Sequence, residues 1–246
     1  MEYVSGSSLE NHIANLTFEK IKLSEVELQY LMLMIDLAWA IEFLHKQKVI
    51  HRDIKPDNVI LINDFNLKLI DFGISRQIRS DSTGTFTMHK GTILYEPPEN
   101  YPYYDEEDLY KTDLSESNKV KITTKFDVWS FGLILSEVFS CEKPYKTNDY
   151  NKICVKLISR EKYPVPKVLM NTEIGVLIED CTQIDVKKRI DIQDVKFRLI
   201  DIFKAKLKIF AEKSDLRKVY EDRKRILFAS KVKQILSMKK SSITII

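Results

Sequence analysis

The 246-residue sequence is poor in cysteine, glycine and proline, and it has no long apolar run. Its three cysteines have neither the pairing of a disulfide framework nor metal-ligand spacing, which favours free thiols in a reducing, cytoplasmic compartment. Residues 1–10 lack a basic segment followed by an apolar one, so no signal peptide is visible. The most apolar stretch, residues 28–44, contains Asp36 and Glu42 and is too short and too charged for a transmembrane segment. These absences argue against a disulfide-rich secreted module and a membrane protein.

The remaining composition is that of one folded domain with a basic end. With 44% hydrophobic and 30% charged residues, the chain can bury one core and is not a disordered protein. The net charge of +3 is unevenly distributed. Residues 199–246 hold 13 Lys or Arg and 5 Asp or Glu, while the rest of the chain is mildly acidic. A solvated helix face is the ordinary reason for such a basic segment, and a partner-binding surface is the alternative. Nothing indicates nucleic-acid binding.

Periodicity predicts a mostly helical chain with one small hairpin near its beginning. Helical patterns cover residues 24–48, 127–140, 148–160, 172–182 and 192–208. Two β-like runs, 59–62 and 67–70, flank the turn 63–66, and residues 74–91 have the composition of a loop.

The residues that carry chemistry lie at the two ends of the predicted hairpin. The sequence His-Arg-Asp-Ile-Lys-Pro-Asp-Asn precedes the first strand at 51–58, and Asp-Phe-Gly follows the second at 71–73. A carboxylate and an amide can hold a hard divalent cation through oxygen atoms. A lysine can neutralise charge on a phosphoryl group, and a second carboxylate can accept a hydroxyl proton. The combination suits phosphoryl-transfer chemistry.

These two segments resemble the catalytic loop and the metal-binding segment of eukaryotic-type protein kinases. Three later segments resemble landmarks of that family in the same order. They are the substrate-binding loop at 91–99, with Pro97 in place of Ala, the start of the central helix at 127–132, and the late Asp-to-Arg segment at 181–189, with Val186 in place of the usual Pro. The resemblance covers residues 1–203, and five ordered segments make coincidence negligible.

The resemblance implies a catalytic and metal-binding set. Asp53 would orient and deprotonate the acceptor hydroxyl, and Lys55 would contact the γ-phosphate of ATP. Asn58 and Asp71 would hold Mg²⁺. Lys55 and Thr92 are similar to residues of the serine/threonine class, in which the Thr92 hydroxyl would bridge Asp53 and Lys55. The implied partner is a protein substrate with a Ser or Thr acceptor.

The resemblance also implies an adenosine-binding surface. Backbone groups of Glu2 and Val4 would face the adenine, with Met1 as the gatekeeper residue. Ser8 would reach the ribose, and Ile60 would form the apolar floor beneath the adenine.

Five other residues would have structural roles according to the resemblance. His51 and Phe72 would stack on each other, and Asp127 would hold the backbone of His51. Glu99 and Arg189 would form a buried ion pair.

Two further features concern regulation and substrate recruitment. Arg52 precedes Asp53, and in the family such an Arg often receives a phosphate from the activation loop. The Ser and Thr residues at 82–87 are candidates for that phosphate, although loops contain Ser and Thr for solubility as well. The segment between Glu99 and Asp127 is longer than usual in the family. It could recruit a basic substrate, although a solvated surface insertion is the more ordinary explanation.

The family has a small β-rich lobe before the hinge, and residues 1–6 already resemble the hinge. No Gly-rich phosphate loop or strand lysine follows in the sequence. We therefore expect a kinase hinge and C-terminal lobe at 1–203 and a basic helical tail at 204–246, and we expect that this chain alone does not transfer phosphate. The expected fold is protein-kinase-like α+β, a mainly α lobe with a small catalytic β-hairpin.

Two functions remain open at this point. An active serine/threonine kinase explains the intact catalytic residues, and an inactive kinase-derived scaffold is the alternative. The tail is predicted to be helical, to dock on the lobe or on a partner, and to have no part in catalysis. Its apolar positions are Leu207, Phe210, Leu216, Val219, Ile226, Leu227, Ile235 and Leu236.

Overall fold

The computed structural model describes residues 5–22, 24–73, 75–77, 93–101, 122–213 and 222–238. In these ranges the α-helices are α1 (Leu9–Ile13), α2 (Phe18–Ile21), α3 (Ser24–Lys46), α4 (Lys125–Ser140), α5 (Tyr150–Ile158), α6 (Glu173–Cys181), α7 (Ile192–Lys213) and α8 (Asp222–Ser237). The strands are β1 (Ser7–Ser8), β2 (Val49–Ile50), β3 (Val59–Asn63), β4 (Asn66–Leu69) and β5 (Arg76–Gln77). The predicted helix-rich layout with one early hairpin is confirmed.

Helix α4 lies at the centre of the lobe. All of its residues from Phe126 to Ser140 are buried, which explains why its sequence has no polar stripe. It packs on α3 and α6, and α3 packs along α7. Helix α4 ends at Cys141, whose left-handed φ of 57° turns the chain out of the helix. The core is therefore built from long helices, and the strands lie at its edge.

The hairpin of β3 and β4 is the larger of two small antiparallel sheets in the described residues. Strand β1 pairs with β3, so that the order is β1–β3–β4, and β2 pairs with β5. The Asn63 side chain accepts hydrogen bonds from the Phe65 N–H and the Asn66 amide, both at 3.0 Å, and so closes the turn. The predicted strands are thus confirmed to within one residue at each end.

Helix α3 buries two carboxylates among its apolar residues. Burial raises the pKa of Asp36 even though Lys231 stands beside it. Burial also opposes ionisation of Glu42, but hydrogen bonds from Lys196 and Lys46 outweigh it and lower its pKa. These ion pairs explain why α3 tolerates charge inside the fold. In the described part of the chain, no helix is long and apolar enough to cross a membrane.

The C-terminal region is helical and docks on the lobe. Helix α7 continues without a break through Phe203, and α8 returns to pack on α7 and the hairpin turn. Phe228 contacts Phe65 of the turn and Phe210 of α7, and Ile235 is buried as well. Ile226 and Leu236 do not lie on the docked face, since they are 68% and 48% exposed. Adjacent residues on a helix point about 100° apart, so only one of each apolar pair can face the core. Leu216 and Val219 lie outside the described residues.

Candidate active site

The predicted catalytic loop, residues 51–58, is held in place by Asp127 of α4. Asp127 is fully buried, and its carboxylate accepts the backbone N–H groups of His51 and Arg52, both at 2.9 Å. The His45 ring nitrogen Nε2 lies 2.8 Å from the same carboxylate. The expected contact between Asp127 and the His51 backbone is confirmed, and it extends to Arg52, whose φ is 70°. A buried carboxylate therefore fixes a strained stretch of backbone.

The imidazole of His51 links the loop to the Asp-Phe-Gly segment. Its Nδ1 accepts the Asp53 N–H at 3.3 Å, and its Nε2 lies 3.1 Å from the Ile70 carbonyl oxygen. These partners require a neutral ring with the proton on Nε2. Burial lowers the pKa of His51, in agreement with that state. The ring also contacts Phe72, with centroids 5.0 Å apart, which confirms the expected stacking.

The two carboxylate oxygens of Asp53 differ in their hydrogen bonding. Its Oδ2 accepts Lys55 Nζ and Asn58 Nδ2, each at 2.9 Å, and its backbone carbonyl accepts the same Asn58 amide at 2.7 Å. Its Oδ1 is buried and has no hydrogen-bond partner among the described residues. A buried acceptor without a partner is costly, and such groups occur where a ligand completes the site.

Asn58 and Asp71 lie at the open end of the hairpin, before β3 and after β4. The Ile70 N–H donates to the Asn58 carbonyl at 2.9 Å, which places Asn58 beside the strand that leads into Asp71. Because the Asn58 amide nitrogen faces Asp53, its amide oxygen is the atom left for a cation. Asp71 is exposed and has a φ of 64°, and its Oδ1 accepts the Gly73 N–H at 3.1 Å.

These residues fit a Mg²⁺ ion that is shared with phosphate. Mg²⁺ is commonly held by one or two protein oxygen ligands, with waters and substrate phosphates completing the shell. The described residues include no group of three or more His, Cys, Asp or Glu side chains that could hold a metal. Asn58 and Asp71 therefore supply oxygen donors of the right kind, but too few for a metal cage built from protein alone.

The described part of the predicted adenosine-binding surface lies on β1 and β3. Ile60 is half-buried and pairs with Ser8 in the sheet. A Cβ at Gly6 would lie 2.3 Å from the Leu61 carbonyl oxygen, so this close approach requires glycine. The Ser8 hydroxyl accepts the Asn11 N–H at 3.3 Å and caps α1.

Three predicted site residues, Glu2, Val4 and Thr92, lie outside the described residues, as do Met1 and the Ser and Thr residues at 82–87. Their predicted roles remain predictions.

The loop at 93–101 is fixed to α4 by contacts that the sequence did not predict. The Tyr95 hydroxyl donates to Glu137, and Ser130 donates to the Tyr95 carbonyl at 2.7 Å. Burial raises the pKa of Glu137, while Lys143 at 2.7 Å opposes that effect. Lys143 also contacts Glu10 at 2.7 Å. No local pattern pairs these residues, because they are distant in sequence.

Arg189 and Glu99 form the expected ion pair. Two guanidinium nitrogens of the buried Arg189 donate to the two oxygens of Glu99, at 2.6 and 2.9 Å. Arg189 also donates to the Lys125 carbonyl at 2.8 Å and lies 5.0 Å from the Trp129 ring centroid. The ion pair therefore ties residue 99 to the helical core.

Tyr101 lies in the segment between Glu99 and Asp127, for which a solvated surface insertion is the more ordinary expectation, and it is buried. Its hydroxyl donates to Glu96 at 2.7 Å, and its carbonyl accepts Arg160 at 3.0 Å. Burial raises the pKa of its phenol. The prediction was wrong at this residue, and residues 102–121 lie outside the described part of the structure.

Comparison with known families agrees with this geometry. Residues 1–198 match the family model of the protein kinase domain, and the chain belongs to the protein kinase family.

The chain is similar to several serine/threonine-protein kinases. It is 34% identical over 199 residues to cds1 of Schizosaccharomyces pombe, a match that covers 77% of this chain and 38% of cds1. It is 27% identical over 206 residues to human Nek10, covering 82% of this chain and 16% of Nek10. It is 30% identical over 187 residues to shk2 of Schizosaccharomyces pombe, covering 75% of this chain and 28% of shk2. The chain thus spans well under half of the length of these relatives.

Proposed function

We propose that the site around Asp53 transfers the γ-phosphoryl group of ATP to Ser or Thr hydroxyls of proteins. The observation that carries the proposal is the Asp53 carboxylate, which is pinned at Oδ2 by Lys55 and Asn58 while Oδ1 has no partner among the described residues. Similarity to the serine/threonine-protein kinases cds1, Nek10 and shk2 supports it.

Asp53 would act on the acceptor hydroxyl. Its Oδ1 would accept the hydrogen bond of that hydroxyl and take its proton as the hydroxyl oxygen attacks the γ-phosphorus, while the bond to the β–γ bridging oxygen breaks and ADP leaves. The hydrogen bonds to Oδ2 hold the carboxylate in one orientation, so little rearrangement precedes the reaction. Lys55 lies against the same carboxylate, and its ammonium stabilises the negative charge of the phosphoryl group in transfer.

Asn58 and Asp71 would hold Mg²⁺ together with the ATP phosphates. The bound ion supplies neutralisation of phosphate charge. The hydrogen bond from Ile70 to Asn58 keeps the two ligand-bearing segments side by side. The left-handed backbone at Asp71 and the Gly73 N–H orient its carboxylate before any ion arrives.

Nucleotide and acceptor specificity would come from residues around this centre. Ile60, Ser8 and the backbone of Glu2 and Val4 would surround the adenosine. Thr92 would bridge Asp53 and Lys55 and favour Ser or Thr acceptors. In this proposal the kinase domain is 1–203 and the basic helical tail is 204–246.

The test, like the ATP-binding and activity measurements described below, uses the full-length parent protein. It measures transfer of labelled phosphate from ATP to a protein substrate, followed by identification of the phosphorylated residue type. Asp53→Asn should reduce transfer by a factor of about 10² or more, because the amide cannot accept the proton. Asp57→Asn is the matched control, since Asp57 is exposed in the same loop and should be nearly neutral. Equal transfer by wild type and Asp53→Asn would refute the proposal. No transfer by wild type under any condition would favour a scaffold.

A further inference from the structure

The turn of the catalytic hairpin is clamped by α8 through polar contacts. Lys231 of α8 is only 4% exposed, and its ammonium donates to both carboxylate oxygens of Asp36 and, at 3.1 Å, to Asn66. Near the start of α8, Lys224 lies 2.9 Å from Asp64 of the same turn. The hairpin turn is therefore bound to α8 at two separate points.

The same turn is clamped by aromatic packing. Phe65, the turn residue, is 1% exposed and meets Phe228 of α8 edge to face, with centroids 5.8 Å apart. Phe228 in turn contacts Phe210 of α7 at 6.2 Å. A row of three rings thus joins the hairpin turn to both C-terminal helices. Such a row favours one position of the turn, because aromatic pairs have preferred geometries.

Asp36 connects this clamp to strand β4. Besides Lys231, its carboxylate accepts a backbone hydrogen bond from Leu67. Burial acts against its charge, so Lys231 is the group that allows Asp36 to stay ionised there. Loss of the Lys231 ammonium would weaken the hold of Asp36 on Leu67.

The clamp lies at one end of the hairpin and the proposed metal ligands lie at the other. Asn58 directly precedes β3, and Asp71 follows β4 by two residues. The strands are only five and four residues long. Short hairpins are marginal without added packing, so the position of the ligands depends on what holds the turn.

We propose that α8 is a positioning element of the kinase site, with Lys231 and Phe228 as positioning residues that fix the hairpin carrying Asn58 and Asp71. The claim that α8 holds the hairpin rests on the contacts alone. The claim that this positions metal ligands for phosphate transfer rests on the proposed function. Helix α8 lies beyond residues 1–198, which match the kinase family model. It nevertheless contacts the turn of the hairpin that carries the proposed metal ligands, so α8 does more than cover the apolar core. It also replaces the expectation that the tail has no part in catalysis.

The experiment compares the purified wild-type protein with Lys231→Met, Lys231→Arg and Lys233→Met. The control Lys233→Met makes the same chemical change on the exposed face of α8. Hydrogen–deuterium exchange is measured at the amides of residues 59–70 and of α4. Binding of ATP is measured at increasing Mg²⁺ and also without metal.

Lys231→Met should raise exchange in the hairpin by about tenfold and leave α4 unchanged. It should raise the Mg²⁺ concentration for half-maximal ATP binding by about tenfold, as is typical when support of a metal ligand is lost. Metal-free ATP binding should stay the same, Lys231→Arg should restore most of the effect, and Lys233→Met should match wild type.

The proposal is overturned if exchange in the hairpin does not change. It is also overturned if exchange rises equally in α4, which would show general destabilisation, or if the Mg²⁺ response stays at the wild-type value while the hairpin loosens. Failure of the wild-type protein to bind ATP at any Mg²⁺ concentration would count against the proposed function instead, and the exchange data would still decide the structural part.

Discussion

The hairpin is held at its open end by the predicted catalytic loop and at its turn by helix α8, and the contacts that fix these two regions differ in kind. The loop is fixed by hydrogen bonds from its backbone to the buried carboxylate of Asp127. Helix α8 is fixed mainly by buried apolar side chains such as Phe228 and Ile235, with one buried ion pair at Lys231. Hydrogen bonds define orientation, whereas apolar burial supplies stability with little directional preference. Removing the Asp127 carboxylate should therefore disable the site, whereas removing the contacts of Lys231 should first loosen the hairpin.

The backbone shows the same contrast. Arg52 and Asp71 have left-handed φ angles although neither is glycine, at a cost of the order of 1–3 kcal/mol each. The described residues of α8 form a regular helix. Among the described residues, two of the eight non-glycine residues with positive φ thus lie at the proposed site, where contacts from elsewhere in the fold must maintain the strained backbone.

The largest expected effect is that of Asp127→Ala. The change leaves two buried N–H groups of the loop without their acceptor and should lower the free energy of unfolding by about 3–5 kcal/mol. Urea unfolding checks the stability and a phosphate-transfer assay the activity. Asp194→Ala, an exposed change on α7, is the control and should shift stability by no more than about 1 kcal/mol. Transfer at the wild-type rate by Asp127→Ala would mean that the loop does not need this carboxylate.

Phe228→Ala should destabilise the protein by about 3 kcal/mol, because it removes a buried ring between two others. Ile226→Ala, two residues earlier on α8, should cost no more than about 0.5 kcal/mol since Ile226 is 68% exposed. The two unfolding midpoints decide the matter. Similar losses for both variants would show that the docked face of α8 is misassigned.

The next effect is a pH dependence of stability from His51. Burial lowers its pKa in the folded protein, while the carboxylates of Asp127, Asp53 and Asp71 act in the opposite direction. In the unfolded chain it titrates near 6.5, so below that pH the unfolded state binds more protons. Stability should therefore fall as the pH decreases from about 6.5, by at most about 1.4 kcal/mol per pH unit, until the folded-state pKa is reached.

Urea unfolding of wild type and His51→Gln between pH 7.5 and 5.5, a range of about two units around the reference value, measures this contribution. The variant should show a shallower decrease. An identical pH dependence in both proteins would assign it to other groups.

The smallest effect is expected at the surface. Lys162 and Glu179 lie 3.2 Å apart with most of the lysine side chain exposed. Lys162→Ala should change stability by no more than about 0.5 kcal/mol, because water and salt screen such pairs. A loss as large as that of Phe228→Ala would show that this pair has a role that its exposure does not suggest.

Local patterns were sufficient for the long helices, for the hairpin and for the segments with the candidate catalytic residues, but they did not predict α1, α2, β1, β2 and β5. The boundaries of α3, β3 and β4 follow from periodicity, and the chemical residues at 51–58 and 71–73 are contiguous in sequence. Resemblance to the kinase family added the contacts of Asp127 and Arg189. Family patterns convey such long-range pairs, which spacing alone cannot.

The contacts that sequence reasoning missed join residues far apart in the chain. Lys231 and Asp36 are 195 positions apart, and Tyr95 and Glu137 are 42 apart. The buried face of α8 was also misjudged at Ile226, since a run of adjacent apolar residues does not reveal which of them faces the core. Only the three-dimensional packing selects Phe228.

The most direct test of the account separates the proposed role of Asp53, which is to act on the acceptor hydroxyl, from that of Asp71, which is to bind Mg²⁺. Calorimetric ATP binding with and without Mg²⁺, together with phosphate transfer, is measured for wild type, Asp53→Asn and Asp71→Asn. Asp53→Asn should bind ATP with Mg²⁺ within about twofold of wild type and transfer almost no phosphate, since its role concerns the acceptor hydroxyl. Asp71→Asn should lose the Mg²⁺-dependent part of ATP binding. Wild-type transfer by Asp53→Asn, or an unchanged Mg²⁺ response in Asp71→Asn, would contradict the account.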